Sequence, residues 1–285
     1  MSMSKREEGR QEELWIDRRE LASSPGHPFY RKLNEILKED GFDAFAESQC
    51  APFYAEGKGR PSIAPGVYFR MLLIGYFEGL DSERGIAWRC ADSLGLREFL
   101  GCDLQDQTPN HSSLSVIRRR LDVETHRAVF QWGLGTLGRR KLIKGKSLGI
   151  DATTLEANAA LRSIVRQDTG EGYDEFLERL AKASGLETPT RADLAKLDRD
   201  RPKKGSNKDW QHPYDADARI TKMKDGRTHL AHKAEHVVDM STGAVVAVVL
   251  HGADQGDTTT MMASLSRAAE NLRDATVSQE RMLTE

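Results

Sequence analysis

The candidate β-strands of this sequence are few, and all of them lie in its second half. Strand-like apolar runs occur first at residues 148–151 and then only at 229–239 and 244–251. Residues 240–243, which end at Gly243, separate the last two runs and predict a hairpin turn. A sheet made of strands this far apart must carry a large insertion. The pattern predicts an α+β fold in which helices precede the sheet.

The first 140 residues have the pattern of helices separated by turn signals. Residues 28–38 carry apolar side chains at helical spacing, and residues 67–80 form an almost wholly apolar segment that suits burial. A shorter helix is predicted to start near Ser82, and another over residues 94–100. We therefore predict a helical N-terminal domain over residues 1–140.

A second domain is predicted over residues 141–285, with the insertion at about 155–225. Within the insertion, residues 175–183 and 191–197 have helical patterns. A further short helix is predicted over residues 258–265, and residues 276–285 lack the apolar periodicity of a core element. The sheet is accordingly expected to be followed by little structure.

Composition excludes several classes of protein. The charged residues make up 30% of the 285 residues and nearly cancel, with a net charge of −2. Three cysteines without a C-x-x-C spacing support neither a disulfide framework nor a zinc ribbon. The longest apolar stretch, around residues 71–77, is too short to span a bilayer, and residues 1–13 are polar. We expect a soluble, cytoplasmic protein and no membrane partner.

Positive charge is concentrated before the first strand. Residues 118–146 contain nine basic and two acidic residues, a local charge of +7. Arg118, Arg119 and Arg120 lie mostly on the outer side of a predicted amphipathic helix. Lys203 and Lys204 lie in a basic loop rich in Gly, Pro and Ser. Both regions are either solvated surface or contacts to the phosphates of nucleic acid.

Two carboxylates at predicted strand ends indicate a metal site. Asp151 closes the first strand, and Asp257 follows the last. Phosphoryl transfer with two divalent ions needs oxygen ligands of this kind. The alternative is that each Asp is a cap, a turn former or an ion-pair partner. The sequence contains no phosphate-binding loop, dinucleotide fingerprint, esterase elbow or zinc-protease helix. The functions that remain are metal-assisted chemistry and binding.

The histidines at positions 229, 232 and 236 suggest zinc, but their spacing makes a compact site geometrically poor. On a strand, His232 and His236 lie on one face, whereas His229, Lys233 and Glu235 point to the other. An ordinary or DNA-facing strand is the better prediction, with Lys233 as a DNA contact.

Seven segments of the sequence carry a resemblance to a known family. They are Gly59-Arg60-Pro61-Ser62, Phe69-Arg70-Met71-Leu72-Leu73, His111-Ser112-Ser113-Leu114, Gly149-Ile150-Asp151-Ala152-Thr153 with Ala157-Asn158, Tyr214-Asp215-Ala216-Asp217-Ala218-Arg219, His232-Lys233 with His236 and Asp239, and Gly252-Ala253-Asp254-Gln255-Gly256-Asp257. Through them the chain resembles bacterial insertion-sequence transposases of the DDE type, in the group related to insertion sequences four and five. Ala216 departs from the proline usual in that family.

The resemblance implies an RNase-H-like catalytic core with a mixed sheet and a DNA transposase activity. It also implies that the protein is associated with the bacterial nucleoid. Asp151 and Asp257 correspond to two of the three acids that bind Mg²⁺ or Mn²⁺, with Asp254 as a rival for the second position. The implied reaction is strand cleavage at transposon ends followed by joining to target DNA. The implied partners are the transposon ends, the target DNA and further copies of the same chain, a homo-oligomer assembled on DNA.

The end of the chain departs from the family pattern. Family members carry a third acid, a glutamate, on a helix beyond another strand, and neither Glu270 nor Glu280 fits that position. We expect a transposase whose core is truncated at the C-terminus and which is inactive in this form. A non-catalytic DNA-binding or inhibitory transposase fragment is the alternative, and an unrelated Mg²⁺ nuclease on the same fold is a third possibility.

Overall fold

The computed structural model describes residues 25–55, 62–201, 205–224 and 226–281. The chain divides into two compact units, Met1–Phe130 and Gln131–Glu285, called here the N-terminal unit and the C-terminal unit. The predicted boundary at residue 140 lies about ten residues later, at the end of the helix α7 (Val123–Arg139), which runs through the division. Helices make up the described part of the first unit, and the second contains the sheet. The mixed composition confirms the α+β class.

The N-terminal unit is helical, as the apolar spacing predicts. Its helices are α1 (Pro28–Glu39), α2 (Phe42–Cys50), α3 (Pro65–Glu78), α4 (Glu83–Asp92), α5 (Leu94–Leu100) and α6 (His111–Arg120), with a 3₁₀ turn at Ala51–Phe53. Side-chain oxygens of Ser82, Ser93 and Asn110 cap the starts of α4, α5 and α6. Gly79 and Gly101 end α3 and α5 in the left-handed conformation, which glycine adopts without strain.

A buried arginine ties the first three helices together. Arg70 of α3 donates a two-pronged bond to the carboxylate of Asp43, at 2.6 and 2.9 Å, and a third bond to Asn34 at 3.0 Å. Its guanidinium lies 5.6 Å from the Phe42 ring centre and 5.9 Å from that of Phe99. The planar fork therefore satisfies its donors inside an aromatic core, which a lysine would not do.

The C-terminal unit is built on an antiparallel sheet whose centre is one long strand. This strand, β5 (Thr228–Asp239), pairs along one edge with β1 (Leu148–Glu156) and along the other with β4 (Arg219–Lys222) and β6 (Val245–Gly252). The three predicted strands and the hairpin turn are confirmed. The mixed sheet is not, because every strand pair in the described part of the chain is antiparallel. The strand β1, however, continues five residues past Asp151, because β-branched Thr153 and Thr154 favour the extended chain and pair with β5.

The predicted insertion lies between β1 and β4. It contains a 3₁₀ turn (Leu161–Ser163), the helices α8 (Tyr173–Ala183) and α9 (Arg191–Asp200), and the short strand pair β2 (Val165–Arg166) with β3 (Trp210–Gln211). Both predicted helices are confirmed. Buried Trp210, Ile164 and Ala218 pack on Leu230 of β5, so the insertion covers one face of the sheet near the start of that strand.

The last described element is the helix α10 (Asp257–Arg281), which packs on the other face of the sheet. The predicted helix over residues 258–265 is confirmed, but α10 continues well beyond residue 265. Its buried positions include Ser264, Ala268 and Ala275, whose small side chains let the helix approach the sheet closely. Small and polar residues at core positions leave little apolar periodicity to detect. Among the described residues, no helix has the length and apolarity needed to cross a membrane.

Candidate functional site

The sheet has two faces of different character. Along β5, Lys233, Glu235 and Val237 point towards α10, whereas His232 and His236 belong to the opposite face. This alternation is the one predicted from the sequence and is confirmed. The face that packs on α10 is called the α10 face below, and the other is called the opposite face.

Asp151 lies near the middle of β1 on the opposite face. Its backbone pairs with that of His236, so the two side chains stand side by side at a cross-strand separation of about 5 Å. The Asp151 carboxylate is exposed, and its Oδ1 accepts a bond from the backbone N–H of Ala152 at 2.9 Å. A carboxylate and an imidazole in this arrangement offer at most two ligands to a cation.

The surroundings of Asp151 are apolar and exposed. Val248 lies across His236 on β6, and Leu250 lies two residues further along the same face. Their exposed fractions are 47% and 66%, and Leu155 of β1 is 46% exposed. The opposite face therefore combines one acid with bare apolar side chains beyond the area that the insertion covers.

Asp257 lies elsewhere, at the first turn of α10. Its Oδ1 accepts a bond from Nζ of Lys233 at 3.0 Å, and the rest of the side chain is exposed. The position also suits a carboxylate electrostatically, because a helix N-terminus carries partial positive charge. Asp257 thus has the ordinary contacts of an N-terminal acid and an ion-pair partner.

A buried polar cluster joins the sheet to α10. Glu235 is 1% exposed, and its carboxylate contacts Nζ of Lys233 at 2.8 Å. It also accepts bonds from the hydroxyl of Ser264, at 2.5 Å, and from that of Thr260. Nε2 of His251 lies 3.5 Å away. The cluster satisfies a charge pair that would be costly to bury alone.

The electrostatics of this cluster favour both charged forms. Burial acts to raise the pKa of the Glu235 carboxyl, but the bonds from Lys233, Ser264 and Thr260 outweigh it and lower the pKa to about 2. Burial likewise acts to lower the pKa of Lys233, whereas its bonds to Glu235 and Asp257 raise it above the ordinary value. Both groups therefore carry charge over the whole neutral range.

The two predicted acids do not meet in the described structure. Asp151 belongs to the opposite face, and Asp257 contacts Lys233 on the α10 face, so the sheet separates their carboxylates. The rival, Asp254, accepts a bond from Asn207 at 3.2 Å and has no contact with Asp151. In the part of the chain that the structure describes, no group of three or more His, Cys, Asp or Glu could hold a metal ion. The residues present do not fit a two-metal centre.

The histidines of β5 have separate partners, in keeping with the argument against zinc. Nδ1 of His229 lies 2.6 Å from the Glu156 carboxylate, and Nε2 of His232 lies 3.0 Å from that of Asp215. These pairs link the first half of β5 to β1 and to the insertion. Their role in the described structure is cross-linking within the C-terminal unit.

The residues predicted to contact DNA differ in the contacts that they already make within the chain. Arg118 contacts Glu83 at 3.2 Å, and the guanidinium of Arg120 lies 4.7 Å from the ring centre of Tyr54. Arg119 donates only to the backbone of its own helix and is exposed. Lys233 is buried under α10, whereas Lys203 and Lys204 lie outside the described residues.

The buried cluster is the feature that sequence reasoning missed. The strand alternation places Lys233 and Glu235 on one face of β5, but it does not identify the element that packs against that face. The signal is the pair of hydroxyl residues Thr260 and Ser264, four positions apart on α10 and therefore on one helical face. Two charges on a strand and two hydroxyls on the next helix together indicate a buried network.

Comparison with known proteins gives one match, and it is confined to the helical part of the chain. Residues 17–120, a little over a third of the sequence, match the family model described as Transposase domain (DUF772). The match ends with α6 and supports a transposase role for the chain. No curated protein and no solved structure matches the chain.

Proposed function

We propose that this chain is a DNA-binding transposase polypeptide of the DDE type in which Asp151 is the first metal-binding acid. The observation that carries the proposal is the position of Asp151, which stands mid-strand on an exposed sheet face and away from the buried cluster. An acid in the middle of a strand, on an accessible face, is where a metal-binding carboxylate could meet a DNA substrate. The transposase match over residues 17–120 supports the same function.

The fold hypothesis that accompanies this proposal is an RNase-H-like core. Its support is the antiparallel order β6, β5, β1 with α10 following β6 on one face. Within this hypothesis, Mg²⁺ or Mn²⁺ bound at Asp151 would supply charge neutralisation for phosphoryl transfer. Asp257 has no place in that site, because its carboxylate lies on the α10 face with Lys233.

A second candidate function is a DNA-binding polypeptide without catalysis, acting at transposon ends or on other transposase copies. One observation favours it, namely that Asp151 has only His236 beside it as a further metal ligand on its face. Loss of two of three acids would remove several kcal/mol of transition-state stabilisation, of the order of 3 kcal/mol or more. DNA binding is common to both candidates.

The deciding experiment combines binding and nicking on one substrate. The substrate is a plasmid carrying the DNA that flanks the coding sequence of this chain, and the ions are Mg²⁺ and Mn²⁺. The variants are Asp151→Asn, Asp257→Asn and, as a matched control, Asp217→Asn. Binding is measured by gel shift at low salt.

Four outcomes separate the candidates. Nicking that Asp151→Asn alone abolishes supports the catalytic proposal. DNA binding by every protein without nicking by any supports the non-catalytic candidate. Nicking that depends on Asp257 and not on Asp151, or absence of DNA binding at low salt, contradicts the proposal that Asp151 is the first acid of a DNA-bound site.

A further inference from the structure

A strongly basic connection leads from α7 into the sheet. Residues 131–150 contain five cations, Arg139, Arg140, Lys141, Lys144 and Lys146, and no acid. Lys141, Lys144 and Lys146 are exposed. None of these three lysines has an acidic partner within the described part of the chain. Residues 139–146 are called the basic loop below.

The backbone of the basic loop is fixed from beneath. Asp239 at the end of β5 is fully buried, and its carboxylate accepts bonds from the N–H groups of Lys144, at 2.7 Å, and Gly145, at 2.9 Å. A third bond comes from the N–H of Ser241 at 2.9 Å. These backbone bonds lower the pKa of Asp239 to about 2. The Asp239 carboxylate therefore fixes the main chain of the basic loop, while the lysine side chains remain exposed to solvent.

The start of the basic loop places a lysine where glycine is usual. Lys141 follows α7 with φ of 58°, and among the described residues it is the one non-glycine residue with positive φ. The N–H of Leu142 bonds to the carbonyl of Leu137 at 2.9 Å, and that of Lys141 bonds to Gly138 at 2.8 Å. This is a Schellman ending, in which a side chain at the left-handed position costs about 1 kcal/mol.

The helix α10 adds a cation beside the basic loop. Lys144 and Arg273 both line one open cavity of about 320 Å³, whose walls include Leu272. A Cβ atom added to Gly145 would lie 3.3 Å from a methyl group of Leu272, so the loop runs close to the helix. Arg273 is exposed and has no acidic partner within the described residues. Two elements far apart in sequence thus present cations to the same opening.

The chemistry of the opening points to a polyanion rather than to a small free anion. A built phosphate pocket offers backbone N–H groups, but those of Lys144 and Gly145 are already bonded to Asp239. What remains is a set of long, exposed cationic side chains on a rigid base. Such a surface matches the phosphate backbone of duplex DNA, whose recognition is electrostatic and independent of sequence.

We propose that the basic loop and Arg273 form a binding surface for the DNA phosphate backbone on the C-terminal unit. The inference rests on the proposed function for the identity of the ligand, and adds a contact surface separate from Arg118, Arg119 and Arg120 in the N-terminal unit. Lys144 and Arg273 provide the two contacts that the geometry fixes best.

The test is the salt dependence of DNA affinity, measured by fluorescence anisotropy with a labelled duplex between 50 and 200 mM NaCl. The test protein is the full chain with Lys144→Gln and Arg273→Gln together. The control carries Lys182→Gln and Lys196→Gln, which remove the same charge from exposed positions on α8 and α9. Circular dichroism verifies that each variant retains its helix content.

Loss of two phosphate contacts makes the slope of log K against log salt less negative by about 1.8. Over a fourfold rise in salt, the test variant should therefore lose about twelvefold less affinity than the unmodified chain. The control should keep the original slope. An unchanged slope in the test variant overturns the inference while the proposed function stands. An unmodified chain that binds no duplex at 50 mM NaCl overturns both.

Discussion

Removal of the Lys233 ammonium should release α10 from the sheet. Lys233→Met keeps the length of the side chain but leaves the Glu235 carboxylate, 1% exposed, without its cation. Breaking a buried ion pair in this way costs about 3 to 5 kcal/mol. Ser264 and Thr260 still donate to the carboxylate, so we expect the lower end, about 3 kcal/mol. The loss should fall on the contact between β5 and α10.

The assay is amide hydrogen exchange of peptides from α10, because it reports local opening in the intact chain. A loss of about 3 kcal/mol corresponds to exchange about 150-fold faster. Lys222→Met on β4 is the matched control, since it removes an exposed lysine from the same sheet and should change stability by less than about 0.5 kcal/mol. Replacement of both charges, Lys233→Met with Glu235→Leu, should cost no more than the single change.

The pH dependence of hydrogen exchange in α10 provides an independent check that the Lys233–Glu235 pair is stabilising. In the unmodified chain, Glu235 has a folded pKa of about 2, below its ordinary value of 4.5. Its stabilising effect is therefore complete above pH 4.5 and disappears as the pH falls towards 2. Without Lys233, burial dominates and raises the pKa of Glu235. A fall in pH then protonates the buried carboxylate and stabilises the variant. Exchange rates of the two proteins should converge below about pH 4.5, and rates that are equal at pH 7 would refute the role given to the pair.

Two further predictions concern the other fixed points of the fold. Arg70→Lys should lower the midpoint of thermal unfolding by several degrees, since one ammonium cannot replace the fork to Asp43 and the bond to Asn34; a loss below about 1 kcal/mol would contradict this. Lys141→Gly should raise the unfolding midpoint, because it removes left-handed backbone strain worth about 1 kcal/mol, and it should weaken DNA binding. A lower unfolding midpoint would show that the φ of 58° is not strained.

The fold was predictable where the signal was local. Both insertion helices, the hairpin turn and the alternation along β5 follow from spacing that neighbouring residues set. The length of α10 did not follow, because Ala268 and Ala275 pack through small size rather than through apolarity. Helix formation there depends on the sheet that receives it, which is tertiary information.

The candidate site was only half predictable for a related reason. The sequence indicates that Asp151 and Asp257 each follow or lie in a strand, but it does not say which face each acid occupies. Side-chain direction alternates with every residue, so the register of β1 against β5 decides that Asp151 stands beside His236. Lys233, one residue after His232, which faces Leu155, then binds Asp257 from the other side.

The arrangement of the two faces limits how a metal centre around Asp151 could be completed. The α10 face is closed by the cluster of Lys233, Glu235 and Thr260. The charges of Lys233 and Glu235 already neutralise each other. A further acid that shares an ion with Asp151 must therefore approach from the opposite face or along the edge of β1, which has no strand beside it among the described residues. Both routes pass over the exposed Leu155 and Val248, so an element that carried such an acid would also bury their apolar surface. Metal binding and burial of this apolar surface would then be coupled, because the same element would supply both the ligand and the cover.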